Sequence, residues 1–199
     1  MHKTRSDMIL YWTFKEFWLL FEPNSLFMSS NKPLVILGSA RKDSNTLLVI
    51  ENLLEEKDYT FLNLSDYVFV GYDYDNNYPE NDQFLEIVDD MLAHDKIIFA
   101  TPVYWYAMSS VMKTHFDRWS DLVRVEKPKG RAMAGKETFL VTQGSSDHMP
   151  LGFEVPFDLS SKYLDMNFKG YIYGDMTLGK DHFAFDDNQK TAFLDKVFH

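Results

Sequence analysis

Five short apolar runs, each followed by a segment of helical periodicity, limit what this chain can fold into. The first is Leu34-Val35-Ile36-Leu37, which breaks at Gly38; the others lie at residues 59–64, 96–101, 137–142 and 168–173. Their lengths and their β-branched and aromatic content read as strands. Between and after them come helical patterns. Leu47, Ile50 and Leu54 mark one over residues 44–56, and Phe84, Leu85, Ile87, Val88, Met91 and Leu92 a strong one. Met108, Val111, Met112, Phe116, Trp119 and Leu122 give the third; residues 157–166 and 187–198 complete the series, with Phe193, Leu194 and Val197 facing inward. Strand and helix alternating in this way predict a parallel sheet covered by helices on both faces. Residues 65–81, acidic and rich in Tyr, read as a surface connection.

The 199 residues suffice for one such domain, and no internal repeat is visible. With 45% hydrophobic and 16% aromatic residues the chain has the means to build a core. The absence of cysteine excludes disulfides, thiolate nucleophiles, iron–sulfur clusters and Cys-based zinc sites. It fits a reducing compartment, and the cytoplasm is the expected location. A formal net charge of −10 argues against a nucleic-acid binder.

Residues 1–31 differ from the rest. Positions 8–21 are densely apolar and aromatic but carry Lys15 and Glu16. A spanning helix needs roughly 20 apolar residues, so stable membrane insertion is not expected. His2, Lys3 and Arg5 suit a signal peptide, yet no small-residue cleavage site follows. Two readings remain: an appended helix covering an apolar surface, membrane or partner, or a segment outside the domain, with the natural start at Met28. The second is the expectation, with the core domain at residues 32–199.

Ligands of an open parallel sheet sit beyond the carboxyl ends of the strands, near the reversal of strand order. Three such ends carry unusual residues. After the first strand, Ser39, Arg41, Ser44, Asn45 and Thr46 surround a helix N-terminus, whose free N–H groups and dipole suit a phosphate. An ordinary capped βα turn explains the same residues. After the third strand come Pro102, Val103, Tyr104, Trp105 and Tyr106. Pro102 stops regular pairing. Three successive aromatics cannot all enter one core, so some should line a surface that a flat group could cover, unless the strand runs on and packs them. After the fourth strand, Gln143, Gly144 and Ser145 offer donors for a heterocycle edge, or a simple polar turn.

The segment Gly38-Ser39-Ala40-Arg41-Lys42-Asp43-Ser44-Asn45-Thr46 resembles the GSxRxxSxT phosphate loop of the NAD(P)H-dependent FMN reductases. Thr101-Pro102-Val103-Tyr104-Trp105-Tyr106, followed by Met108 and by residues 113–118 ending at Arg118, resembles their (S/T)PVYW segment and following helix. The likeness runs from about Lys32 to the C-terminus. It implies a flavodoxin-like three-layer sandwich, a five-stranded parallel sheet of order 2-1-3-4-5, and non-covalent FMN. By this resemblance Ser39, Arg41, Ser44, Asn45 and Thr46 hold the FMN phosphate. Pro102, Val103, Tyr104, Trp105 and Tyr106 line the ribityl chain and isoalloxazine, and Gln143, Gly144 and Ser145 approach the pyrimidine edge. Hydride would pass from NAD(P)H through FMN to a small acceptor such as a quinone, an azo or nitro compound, or free flavin, in a homodimer or homotetramer. Many relatives have Gly where this chain has Ala107 and Pro where it has Ser109; a Cβ at Ala107 would narrow the approach or forbid a positive φ.

No catalytic acid–base residue is assigned. Asp147 and His148 read as solvent-facing turn residues, and His94, His115 and His182 as helix-surface or capping residues, since none has a metal-ligand partner at useful spacing. Arg118, Arg124, Lys127, Lys129, Arg131 and Lys136 form a basic stretch, expected as a solvated loop at the amino end of the sheet. A dinucleotide-binding Rossmann enzyme lacks its G-x-G-x-x-G, and a P-loop hydrolase its Gly-Lys-Ser/Thr. An electron-transfer or flavin-binding protein without turnover is the rival reading.

Overall fold

The computed structural model describes residues 32–41, 43–179 and 182–199, and it holds five parallel strands in one sheet. These are β1 (Leu34–Leu37), β2 (Thr60–Asn63), β3 (Lys96–Pro102), β4 (Glu137–Gly144) and β5 (Asn167–Asp175), in the order β2-β1-β3-β4-β5. All four residues of β1 are buried because both faces of the strand are covered. Leu34 and Ile36 enter one core, Val35 and Leu37 the other. The first core is closed by α2 (Phe84–Leu92), α3 (Ser110–Asp117), α4 (Trp119–Arg124) and α6 (Val155–Tyr163). The second is closed by α1 (Asn45–Leu53) and α7 (Asp187–Phe198). Parallel pairing forces each connection to cross back over the sheet through a helix, which yields these two layers. The strand order reverses between β1 and β3, where α1 and α3 leave on opposite faces.

Several expectations need correction. The fourth strand runs on through Gln143 to Gly144, because these residues pair with Gly174 and Asp175 of an equally extended β5. The helix read across residues 108–122 is two helices meeting at Arg118. The basic stretch is not a solvated loop. It contains α5 (Lys127–Ala132), Arg118 is 2% exposed, and Lys136 is buried. Lys136 donates to the carbonyls of Leu92 and His94 at 2.9 and 2.7 Å, closing the carboxyl end of α2, and burial pushes its pKa down. Arg118 binds both carboxylate oxygens of Asp82 at 2.8 and 3.0 Å and Asp121 at 2.8 Å, with its guanidinium 3.6 Å over the Tyr78 ring. That network ties the connection after β2 to the α3–α4 junction. Its carboxylate partners hold the arginine's pKa up against burial.

His115 is not on a helix surface but wholly buried among Phe84, Phe99, Phe116 and Trp119. His94 does cap: its Nδ1 meets the carbonyl of Asp90 at 2.8 Å. Residues 1–31 and the expectation attached to them lie outside the described residues. Among the described residues no helix is long and apolar enough to cross a membrane, and no cluster of His, Cys, Asp and Glu could hold a metal ion.

Candidate functional site

The first loop leaves β1 at Gly38, where a Cβ would lie 2.8 Å from the Cβ of Met112. Only the absence of a side chain lets the start of α3 come so close. Ser39 is 1% exposed, and its Oγ lies 3.4 Å from the N–H of Arg41. Ser44 is the N-cap of α1: its Oγ accepts from the N–H of Leu47 at 3.2 Å, which leaves the hydroxyl hydrogen free to donate. Among the described residues no group accepts from the N–H of Asn45 or Thr46, the donors that a helix's first turn leaves without an intrahelical partner. Arg41 is exposed, and its guanidinium has no partner among the described residues. The loop therefore supplies free N–H groups, a hydroxyl and a full positive charge at one helix end.

The second loop forms a miniature hairpin. Tyr104 and Ala107 exchange both backbone hydrogen bonds, at 2.9 and 3.0 Å, across the pair Trp105-Tyr106. Trp105 and Tyr106 take φ values of 49° and 64°. Two central residues with positive φ define the tightest reverse turn, which Asn-Gly or Gly-Gly adopt without strain. Two large aromatics there are strained. Their side chains are lifted off the core: Trp105 is 94% and Tyr106 78% exposed. The positive φ that Ala107 was expected to forbid falls on its two predecessors instead. Pro102 is buried at the last position of β3, and Val103 and Tyr104 sit half-way out.

The third end is β4 itself. Gln143 is 8% exposed, Gly144 half-buried and Ser145 exposed. Side chain and backbone here bind all three loops to one another. Gln143 Nε2 donates to Thr46 Oγ1 at 3.3 Å, joining the third end to the first. The Gln143 carbonyl accepts from the N–H of Val103 at 2.9 Å, joining it to the second. Ser109 Oγ donates to the carbonyl of Gly38 at 2.7 Å, joining the second to the first. Ser109 also receives the N–H of Met112 at 3.2 Å as the N-cap of α3, and gives its own N–H to Thr101 Oγ1 at 3.0 Å. All three loops are thus pairwise fixed at one edge of the sheet.

Between the aromatic turn and the loop after β4 lies a cavity of about 210 Å³, lined by Val103, Trp105, Tyr106, Gly144, Ser145, Ser146, Pro150 and Tyr173. Exposed aromatic faces on one wall and backbone donors on the other suit a flat heterocycle with a polar edge. Together with the donors around Ser44, this arrangement fits an aromatic ring system carrying a phosphate, as FMN does. Asp147 and His148 pair with each other in the solvent and reach neither wall of this cleft as a buried acid or base.

Ser109 and Tyr173 were missed from sequence. The signal for Ser109 was available, a serine opening an apolar helical pattern; for Tyr173 there was none beyond its place in a strand.

A family model described as NADPH-dependent FMN reductase matches residues 31–152. A Bacillus subtilis protein named as an NAD(P)H-dependent FMN-containing oxidoreductase, YwqN, is 27% identical over 150 residues, which cover 71% of this chain and 83% of that one. Among solved structures, the Trp repressor binding protein of Bacillus subtilis superposes with a TM-score of 0.60 at 24% identity, over 84% of this chain and 96% of its own. General stress protein 14 of Treponema denticola, solved in complex with FMN, gives 0.56 at 16% identity over 83% and 99%. These structural neighbours share the flavodoxin-like fold.

Proposed function

Since the chain belongs to the NADPH-dependent FMN reductase family, we propose that its three tied loops hold FMN and that it serves a small-molecule acceptor. The protein is an FMN-dependent NAD(P)H oxidoreductase. Bound FMN supplies the hydride acceptor for NAD(P)H and the electron source for the second substrate. The chain's own residues bind, orient and cover it. Ser39, Arg41, Ser44, Asn45 and Thr46 hold the phosphate, through the free donors at the N-terminus of α1 and the arginine charge. Pro102, Val103, Tyr104, Trp105 and Tyr106 line the ribityl chain and ring, and Gln143, Gly144 and Ser145 take the pyrimidine edge. The single observation that carries this reading is the set of three hydrogen bonds linking the loops pairwise.

A quinone, an azo or nitro compound, or free flavin is the acceptor in this proposal, because the exposed aromatic wall discriminates little beyond flatness. The assembly is a homodimer with the flavin near the subunit boundary. Val155, Leu159 and Tyr163, four residues apart along α6, support this: they stand 43% to 75% exposed, and Leu151 in the turn before the helix, fully exposed, follows Pro150 of the cleft wall. A cytoplasmic setting belongs to the same proposal.

The test is an FMN titration of the apoprotein followed by anaerobic addition of NADPH. The wild type should take up FMN and bleach. Arg41→Ala with Ser44→Ala should lose roughly 10- to 150-fold in FMN affinity, the range expected for one or two charge-assisted hydrogen bonds. Its melting curve without FMN should be within a few degrees of wild type. Unchanged affinity would remove the phosphate-site assignment.

A further inference from the structure

The loop after β4 is held in place by one phenol. Tyr173, paired with Thr142 in the sheet, runs its side chain up past Gly144 and donates its hydroxyl to the carbonyl of Ser146 at 2.8 Å. The residue is 8% exposed. A Cβ on Gly144 would lie 2.8 Å from that hydroxyl oxygen, so the glycine exists to let the phenol through. On its other side the Gly144 carbonyl accepts the N–H of Met176 at 3.0 Å. Three carbonyls of this stretch are therefore engaged, at Gln143, Gly144 and Ser146. Its donors are not: among the described residues nothing accepts from the N–H of Ser145 or Ser146. The Gly144 carbonyl shares its peptide with the Ser145 N–H, and the Ser146 carbonyl shares its own with the Asp147 N–H, so each of these bonds fixes the N–H on the opposite side of its plane, in a loop whose Ser145 and Ser146 line the cavity of about 210 Å³.

We infer that Tyr173 is the positioning residue of the flavin site, aiming the loop's backbone donors at the ring edge on which charge accumulates when the ring is reduced. This deepens the proposed function and rests on it. Tyr173 touches the ring's site only as a wall; its effect travels through Ser146. Burial raises the phenol's pKa, so the donor persists through the neutral and mildly alkaline range. Donors fixed before reaction stabilise the charged, reduced form more than the neutral oxidised one, because they need no reorganisation. Releasing the loop should therefore lower FMN affinity and also make reduction harder, a change that a purely structural role would not produce.

The experiment compares wild type, Tyr173→Phe, Gly144→Ala and the double variant as apoproteins titrated with FMN, then as holoproteins poised against dyes of known potential. Tyr173→Phe keeps the ring and its packing, and should bind FMN roughly tenfold more weakly, the loss of one net hydrogen bond, with a more negative midpoint potential. Gly144→Ala, which keeps the phenol but displaces it, should move both readings the same way. The effects should not add in the double variant, since both act on one contact. Wild type binding FMN with Tyr173→Phe unchanged in affinity and potential would overturn the inference alone. Wild type failing to bind FMN would remove the reading beneath it.

Discussion

At the scale of single residues, His115 shows how far burial can override chemistry. Trp119 gives its indole N–H to His115 Nε2 at 3.3 Å, and an indole only donates, so the imidazole hydrogen sits on Nδ1. That Nδ1 has no partner. Burial, with a smaller push from Arg118, drives the pKa from 6.5 down to about 3. The sign of the consequence follows. Between about pH 6.5 and pH 3 the unfolded chain binds a proton that the folded chain refuses, so stability is fully present above that window and is lost as pH falls through it. The slope is up to about 1.4 kcal/mol per pH unit. His115→Gln, which retains an acceptor for Trp119, should flatten this dependence in urea unfolding measured from pH 4 to pH 7. An unaltered slope would assign the acid sensitivity to other groups. Sequence could place His115 on a helix but not on its inner face, because a polar residue in an apolar stripe looks like an exception to the pattern.

At the scale of elements, the alternation of strands and helices was legible because each apolar run is short, bounded by turn residues and buried on both faces. What escaped depended on contacts distant in sequence. The break between α3 and α4 follows from Arg118 being drawn into Asp82, which sits 36 residues earlier. The Lys-Pro-Lys-Gly sequence of α5 reads as a loop, yet Pro128 is harmless in a helix's first turn and Gly130 is needed there. A Cβ on Gly130 would meet the Leu122 carbonyl oxygen at 2.2 Å. The aromatic turn after β3 was legible in composition, though not in conformation. Its two left-handed aromatics store strain of order 1–3 kcal/mol each. Trp105→Gly should therefore raise unfolding stability by about 1 kcal/mol while weakening FMN binding, a trade of stability for function. Chemical denaturation of the apoprotein and FMN titration measure the two halves. A variant both less stable and equally tight in binding would show that the turn is relaxed and the indole idle.

At the scale of the molecule, the described chain is tied to its neighbours from its first residues, Lys32 and Pro33. The carbonyl of Pro33 accepts from Thr60 at 2.9 Å, and Lys32 pairs with Asp58 at 2.8 Å. Deleting residues 1–27 is accordingly expected to leave a soluble protein with undiminished FMN binding, checked by gel filtration and titration. Aggregation or loss of flavin would make the N-terminal segment part of the domain. The proposed site is readable in sequence as three loops, because the residues assigned to it are chemically unusual where strands end. Ser109 and Tyr173, which fasten those loops together, are ordinary residues in ordinary elements; only the tertiary contacts give them their roles.

The lifted turn after β3 has an optical consequence. Of the four tryptophans, Trp105 and Trp119 lie in the described residues, one 94% and the other 5% exposed. In the shortened protein these two alone would emit, Trp105 at the long wavelength of an indole in water and Trp119 at the short wavelength of one in hydrocarbon. A collisional quencher such as iodide would extinguish the first and spare the second. A second subunit coming to lie on the turn would then announce itself as a blue shift and a loss of iodide quenching, whereas a flavin stacked on it would dim the Trp105 emission, both read without any added label.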